Sequence, residues 1–243
     1  MPPPPSGLLA EVPRAALTSM CELSTVILPV AEICRRARER GIAVCIDGPH
    51  APAQIPLEIS SLGCDFYAAS CHKWLSAPFG SGFLYVAKPR QQNIRPPVLS
   101  WGRLPPQPIE SWSDEFLWSG TRDYSPYLTI PTAIGFMKSA GLEFFRQGAH
   151  ALAQYARQKL VELTQLEPIV PDSSDWYGSM AHVPLLPGDR AKLQEILWQQ
   201  HRIEVPIVDW NGCRYIRVSC HFYNTPEQID RLVAALRQLL QPS

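Results

Sequence analysis

Apolar residues recur with a helical period in the part of the chain that follows Pro29. They fall at positions i, i+3, i+4 and i+7, at Val30, Ile33, Cys34 and Ala37. A basic turn and Gly41 come next, so this spacing predicts a helix over residues 30–40 with one buried face. Residues 42–46 are all apolar and stop at Asp47, which predicts a strand covered on both faces. Together the two elements predict half of a βαβ unit.

Two further strands are predicted on either side of a glycine-containing turn. Residues 65–70 form the first, and residues 83–86, after Gly80-Ser81-Gly82, form the second. The second strand is expected to run antiparallel to its neighbour, because the intervening loop is too short for a helical crossover. Ligands of open α/β sheets bind outside the carboxyl ends of the strands. Asp47 and residues 70–73 occupy such ends.

The second half of the chain has a different order of elements. Residues 125–165 are predicted to be mainly helical, 181–185 and 215–219 to be strands, and ~189–200 to be a helix between them. Residues 225–228 read Thr-Pro-Glu-Gln, a sequence typical of the capped start of a last helix.

The fold class predicted from these elements is α/β, in three segments. The proline-rich residues 1–25 show no clean period and are expected to form an irregular lead-in. Residues 26–139 are expected to form a larger domain with a mostly parallel sheet and helices. Residues 140–243 are expected to form a smaller C-terminal α/β domain.

Composition narrows the classes of partner. The chain has 243 residues, of which 46% are apolar and 18% charged, enough to bury a substantial core. Its 22 basic and 22 acidic residues balance, so we expect a small-molecule partner and neither nucleic acid nor a membrane. No apolar run is long enough for a bilayer, and the start lacks the pattern of a secretory signal.

The seven cysteines contain no C-x-x-C pair. Several fall within apolar strand or helix patterns, which indicates buried free thiols and neither a zinc site nor disulfides. We therefore expect a reducing, cytoplasmic environment and no bound metal.

The most informative residues are Ser70, His72 and Lys73, which follow one apolar strand, with Asp47 at the end of another. This is how a protein holds pyridoxal 5'-phosphate: the lysine amine forms a Schiff base, and a carboxylate pairs with the pyridine nitrogen. Two of these residues also have a structural alternative. Asp47 is compatible with capping a turn, and Lys73 with an exposed surface charge.

Five motifs stand in the order in which they occur in a known family: residues 47–51, 70–74, 80–82, 119–123, and 216–219 with 223–225. Over residues 27–240 the chain resembles class V aminotransferase-fold enzymes, and within them the isopenicillin N epimerase-like branch, related to the cysteine desulfurases. The resemblance implies a fold type I enzyme that uses pyridoxal phosphate, acts on an amino acid and forms a homodimer.

The resemblance also implies roles for single residues near the cofactor ring. Lys73 would form the Schiff base and, once released, carry the substrate's α-proton. Asp47 would bind the protonated pyridine nitrogen. His50 would reach the phenolic oxygen of the ring or the side of the substrate carboxylate, although it is also compatible with an ordinary loop histidine.

The remaining implied roles concern the two anionic groups. Ser70 and His72 would donate hydrogen bonds to the phosphate, and Thr121 would do so from the partner subunit. Arg217 would bind the substrate carboxylate in a bidentate geometry. Thr121 is also compatible with an ordinary turn residue, and Arg217 with the formation of an ion pair inside the protein.

Only 46 residues precede Asp47, too few for the strands and phosphate loop that family members place before this aspartate. We therefore expect the chain to correspond to the C-terminal part of such an enzyme. The main functional hypothesis is chemistry at the α-carbon of an amino acid, by epimerisation or transamination. The alternative is a non-catalytic remnant or assembly module. Desulfuration is disfavoured because the region of Cys213 lacks the pattern of the desulfurase loop.

Overall fold

The computed structural model describes residues 14–18, 25–98, 100 and 109–240, the first of these stretches as backbone only. The described chain divides into two compact units that are interleaved in sequence. The described part of the first unit consists of residues 14–18, 29–49, 58–98, 100 and 109–133. That of the second consists of residues 25–28, 50–57 and 134–240. The three segments inferred from the sequence, which have different boundaries, stay a prediction.

The first unit contains a four-stranded sheet. In pairing order its strands are β1 (Arg14–Thr18), β2 (Ala43–Asp47), β3 (Phe66–Ser70) and β4 (Gly82–Val86). Neighbours among β1, β2 and β3 are parallel, whereas β4 is antiparallel to β3. The predicted antiparallel return after the glycine turn is therefore confirmed.

The helices of the first unit are α1 (Val30–Glu39), α2 (Ile59–Leu62), α3 (Lys88–Gln91) and α4 (Ser125–Leu128), with a 3₁₀ turn at Trp112–Phe116. α1 links two parallel strands, as a βαβ crossover must. It buries Val30, Cys34 and Ala37. Gly41 follows it with φ +67°, the left-handed conformation that ends many helices. The predicted helix is confirmed.

Two expectations for this unit differ from the structure. Residues 14–18, expected to be irregular, form β1 and pair with β2; the rest of residues 1–24 lie outside the described residues. β2 buries Val44 and Ile46, but Cys45 on its opposite face is only half-buried. The predicted cover on both faces of β2 is therefore complete on one face and partial on the other.

The second unit contains a three-stranded antiparallel sheet with the order β5-β7-β6. Its strands are β5 (Met180–Leu185), β6 (Ile207–Trp210) and β7 (Cys213–Ser219). Its helices are α6 (Leu142–Thr164), α7 (Arg190–His201) and α8 (Pro226–Leu239). A further helix, α5 (Ile130–Ala140), spans the boundary between the units.

Helices α6, α7 and α8 contribute to the core of the second unit, together with the sheet. Its fully buried residues include Ala153, Ala156, Leu160, Val183, Leu197, Ile216 and Leu236. Each fully buried valine, leucine or isoleucine side chain among them stabilises the fold by about 1.5–3 kcal/mol. The predicted capping box is confirmed, since Thr225 and Gln228 exchange hydrogen bonds at the start of α8.

The cysteine prediction is confirmed in part. Six cysteines in the described chain are free thiols, but Cys213 is exposed and Cys45 half-buried, in contrast to the others. Cys21 lies outside the described residues. Among the helices that the structure describes, none combines the length and apolar character that a bilayer requires.

His182 on β5 is buried as a neutral imidazole. It is 2% exposed, and its Nδ1 lies 2.7 Å from the Thr25 hydroxyl, within hydrogen-bond distance. Burial, and secondarily the charge of Arg157, lower the pKa of His182 to about 4. An unfolded chain takes up this proton near the ordinary value of about 6.5. Acid therefore favours the unfolded chain.

We expect the free energy of unfolding to fall by up to about 3 kcal/mol through this residue as the pH drops from about 6.5 to 4. Above pH ~6.5 the contribution is constant, because His182 is then neutral in both states. Urea unfolding at a series of pH values measures the effect. His182→Gln should flatten the slope between these pH values, and an unchanged slope would contradict the assignment.

Candidate active site

The carboxyl ends of β2 and β3 bring Asp47 and Ser70 to the same edge of the sheet. In the parallel register Asp47 pairs with Ala68, so Ser70 lies two residues beyond that level. The Gly48 amide donates to the Ala68 carbonyl over 2.8 Å, which fixes the chain directly after Asp47. Asp47 is exposed and Ser70 is half-buried.

Lys73 lies on the loop between β3 and β4. Backbone hydrogen bonds within this loop hold it closed. The Cys71 amide donates to the Ser81 carbonyl over 3.0 Å, and the Ala77 amide donates to the Cys71 carbonyl over 3.0 Å. A third bond, 3.2 Å long, runs from the Ser76 amide to the Lys73 carbonyl. These bonds hold the half-buried Lys73 next to the end of β3.

Buried residues on both sides of Lys73 anchor the same loop. Trp74 is 7% and Cys71 2% exposed. Burial raises the pKa of the Cys71 thiol, so this cysteine stays neutral and is a poor nucleophile. Lys73 is therefore the chemically suitable nucleophile of this loop.

The start of β4 approaches β3 so closely that only glycine fits at position 82. A Cβ on Gly82 would lie 2.8 Å from the Ala69 carbonyl oxygen, which is backbone and has little freedom to move. This contact is directly beside Ser70, the partner of Gly82 across the strands.

Gly82→Ala is expected to destabilise the protein by about 1–3 kcal/mol, since the added methyl group forces β3 and β4 apart. Thermal unfolding measures the loss. Gly148→Ala is the matched control, because its Cβ meets nothing within 4 Å and alanine is the better helix former by about 0.5–1 kcal/mol. Equal melting temperatures for Gly82→Ala and the unsubstituted chain would show that the close contact is absent.

His72 presents a buried polar atom at the same strand end. Its Nδ1 is buried and has no hydrogen-bond partner in the described part of the chain. The ring centroid lies 5.1 Å from that of Phe79. An imidazole nitrogen in this position suits a hydrogen bond to an anionic group such as a phosphate.

The other predicted site residues lie elsewhere in the chain. Thr121 is exposed, on the loop that precedes α4. His50 follows Asp47 by three residues but belongs to the second unit, where it is 8% exposed. The structure thus places Asp47, Ser70, His72 and Lys73 at one edge of the sheet. The predicted roles of these four residues, of His50 and of Thr121 stay predictions.

Arg217 lies on β7 in the second unit and lines a pocket of about 290 Å³. Its amide donates to the Pro206 carbonyl over 3.0 Å. Arg202 and Arg231 line the same pocket, with Glu204 as the acidic residue. The sequence pattern singled out Arg217 alone, because the other two arginines come from different elements. A pocket with this excess of positive charge suits a carboxylate.

A model of the family "Aminotransferase class-V" matches residues 9–232. The chain belongs to this family. Pyridoxal phosphate is the cofactor of these class V enzymes, so membership agrees with the chemistry of Asp47 and Lys73.

The curated class V relatives include two isopenicillin N epimerases. The epimerase of Amycolatopsis lactamdurans is 39% identical over 227 residues, which cover 88% of this chain and 56% of the relative. That of Streptomyces clavuligerus is 38% identical over 249 residues, covering 96% of this chain and 63% of the relative. The chain therefore spans about three fifths of the length of these relatives.

Solved structures show the same fold. The apo cysteine desulfurase of Thermococcus onnurineus NA1 matches with a TM-score of 0.79 and 20% identity, over 93% of this chain and 60% of that one. A cystine C–S lyase in complex with cysteine persulfide matches with a TM-score of 0.80 and 23% identity, over 95% and 62%. The chain is a partial α/β structure of fold type I, and the expected fold class is confirmed.

The class V site residues fit pyridoxal phosphate on chemical grounds. Lys73 would hold the aldehyde carbon, and Asp47 would pair with the pyridine nitrogen. His72, through its buried Nδ1, and Ser70 would hold the phosphate. Within the described residues, no group of three or more histidine, cysteine and acidic side chains is placed to hold a metal ion.

Proposed function

We propose that this chain is part of a pyridoxal phosphate enzyme that acts at the α-carbon of an amino acid, by epimerisation as in the isopenicillin N epimerases or by transamination. One observation carries the proposal. The Asp47 carboxylate and the Ser70, His72 and Lys73 side chains lie at or directly after the carboxyl ends of adjacent parallel strands, and this edge is where such sheets bind ligands.

The residues of the first unit hold the cofactor and move the proton. When bound, pyridoxal phosphate supplies an electron sink for the negative charge that forms at the α-carbon. Asp47 keeps the pyridine nitrogen protonated, because a carboxylate beside it favours the charged form. The Lys73 amine holds the cofactor before the substrate arrives and then takes the α-proton from the substrate.

The residues of the second unit bind the substrate. Arg217 holds the α-carboxylate in two parallel hydrogen bonds, and the charge of Arg202 and Arg231 in the same pocket raises the local concentration of carboxylates. His50 orients the ring oxygen of the cofactor or the carboxylate side of the substrate.

We also propose that the enzyme works as a homodimer in a reducing, cytoplasmic compartment. Thr121 would reach the phosphate of the partner subunit, and its exposed position supports that role. The six free thiols of the described chain support a reducing environment.

In the test, the purified chain is mixed with pyridoxal phosphate in D₂O. Isopenicillin N, or the L or D form of alanine or cysteine, is then added as substrate. We expect a visible absorption band for the bound cofactor and deuterium at the α-carbon of the substrate, detected by NMR. Inversion of configuration would identify an epimerase, and release of an oxo acid would identify an aminotransferase. A folded chain that gives neither band nor exchange would overturn the proposal.

A desulfurase-type lyase is the lesser candidate. The exposed Cys213 lies on the same face of β7 as Arg217, but four residues away, or about 13 Å along the strand. A persulfide-forming cysteine has to reach the substrate that Arg217 binds, and this distance opposes it. Sulfide release from cysteine in the same experiment would favour the lyase.

A non-catalytic assembly module is the other candidate. The first unit exposes large apolar side chains, with Phe79 84%, Leu128 77% and Leu117 62% exposed, as expected for a surface that another chain covers. A folded chain without cofactor binding that associates with a partner would support this alternative.

A further inference from the structure

The segment His50–Leu57 is built into the second unit, although it begins three residues after Asp47. Two side chains hold this segment, and neither has a role in the candidate site. They are Gln54, within the segment, and Arg146 on α6.

Gln54 is a buried link between two stretches of backbone. It is 2% exposed, and its Nε2 donates to the His50 carbonyl over 3.1 Å. Its Oε1 accepts from the amide of Ser179, a fully buried residue, over 3.3 Å. Gly178 leaves room for this arrangement, since a Cβ there would lie 2.6 Å from Oε1 of Gln54. The amide of Gln54 therefore fits into a space that only a glycine at 178 provides.

Arg146 holds the bend of the same segment. Its Nε donates to the Ala53 carbonyl over 3.0 Å and its Nη2 donates to the Ile55 carbonyl over 3.1 Å. At the bend itself, the backbone of Ala53 adopts the left-handed conformation, with φ +67°. A planar guanidinium is suited to two acceptors at once, and lysine is not. The bend thus depends on one arginine from a helix more than 90 residues later in sequence.

We propose that Gln54 is a positioning residue that sets the orientation of the His50 imidazole, with Arg146 holding the bend on which Gln54 lies. The effect on the bound cofactor rests on the proposed function, whereas the effect on His50 does not. Gln54 fixes the carbonyl of His50, so the backbone that carries the imidazole is held in place. His50 is 8% exposed, and on a fixed backbone the neighbours of this buried residue restrict the orientation of its ring.

The test uses Gln54→Met, which keeps the volume of the side chain and removes both hydrogen bonds. In the cofactor-free protein we expect roughly tenfold faster amide exchange in residues 50–57 and a displaced NMR resonance of the His50 imidazole. Gly178→Ala, which pushes Gln54 out, should act in the same direction. Gln147→Met is the matched control, because Gln147 is exposed and bonds to Glu143.

The second measurement asks whether Gln54 acts through His50. With pyridoxal phosphate bound, Gln54→Met is expected to shift the visible absorption maximum of the cofactor, and this shift should vanish when His50→Ala is already present. A shift of equal size in both backgrounds overturns the positioning role. So does faster exchange with an unmoved His50 resonance, because Gln54 would then only brace the loop.

The two proposals fail in different ways. If the unsubstituted chain shows no cofactor band, the proposed function fails, and the His50 resonance of the cofactor-free variants still decides the role of Gln54. If the band forms and neither the resonance nor the band responds to Gln54→Met, the role of Gln54 is overturned and the proposed function stands.

Discussion

Replacing Lys73 with alanine is expected to abolish covalent capture of pyridoxal phosphate and to lower α-proton exchange by roughly a thousandfold or more. The substitution removes both the amine that bonds the cofactor and the base that moves the proton. The measurement is borohydride reduction followed by mass mapping of the labelled peptide, alongside deuterium incorporation into the substrate.

Lys88→Ala provides the matched control, because Lys88 is an exposed lysine on α3 of the same unit. We expect it to keep the label and the exchange rate. A label that persists undiminished in Lys73→Ala, on Lys88 or other exposed lysines, would show that Lys73 is not the cofactor lysine. Since the loop of Lys73 is closed by backbone bonds, we expect the variant to keep its fold.

Phe145→Ala is expected to lower the stability of the second unit by about 3–5 kcal/mol. Phe145 is 2% exposed, and its ring packs against those of His221 and Phe222, with centroids 4.6 Å and 6.1 Å away. Its removal leaves a cavity at the start of α6, beside the helical turn that carries Arg146. Thermal or urea unfolding measures the loss.

The neighbouring Phe144 makes a closely matched control. It is 77% exposed, so Phe144→Ala removes the same group from the same helix without opening a cavity, and it should change stability by less than about 0.5 kcal/mol. Equal losses for the two variants would mean that Phe145 is not part of the core.

Elements with a strong local pattern could be predicted from the sequence. The apolar stripe of α1, the apolar run of β2 and the capping sequence of α8 each specify their structure within about a dozen residues. β1 could not be predicted, because residues 14–18 owe their strand conformation to pairing with β2, and strand formation depends on such neighbours more than on intrinsic preference.

In the candidate site, too, residues specified by local sequence could be predicted, and residues placed by distant contacts could not. Asp47 and residues 70–73 could be located because they directly follow predicted strands. The position of His50 could not, since the contacts that hold its segment come from Arg146 and Ser179, 91 to 125 residues away in sequence. Nothing local in His50-Ala51-Pro52 indicates those partners.

The course of the chain between the units limits how this protein can be cut or recombined. The described chain belongs to the second unit at residues 25–28, 50–57 and 134–240, and to the first unit elsewhere. A gene fragment that starts at residue 134 therefore encodes a second unit without residues 25–28 and 50–57, and leaves the Arg146 guanidinium and the Ser179 amide without the groups they bind. Chimeras in which relatives exchange this unit should transfer residues 25–28 and 50–57 together with residues 134–240, since Thr25 also contacts His182 of this unit.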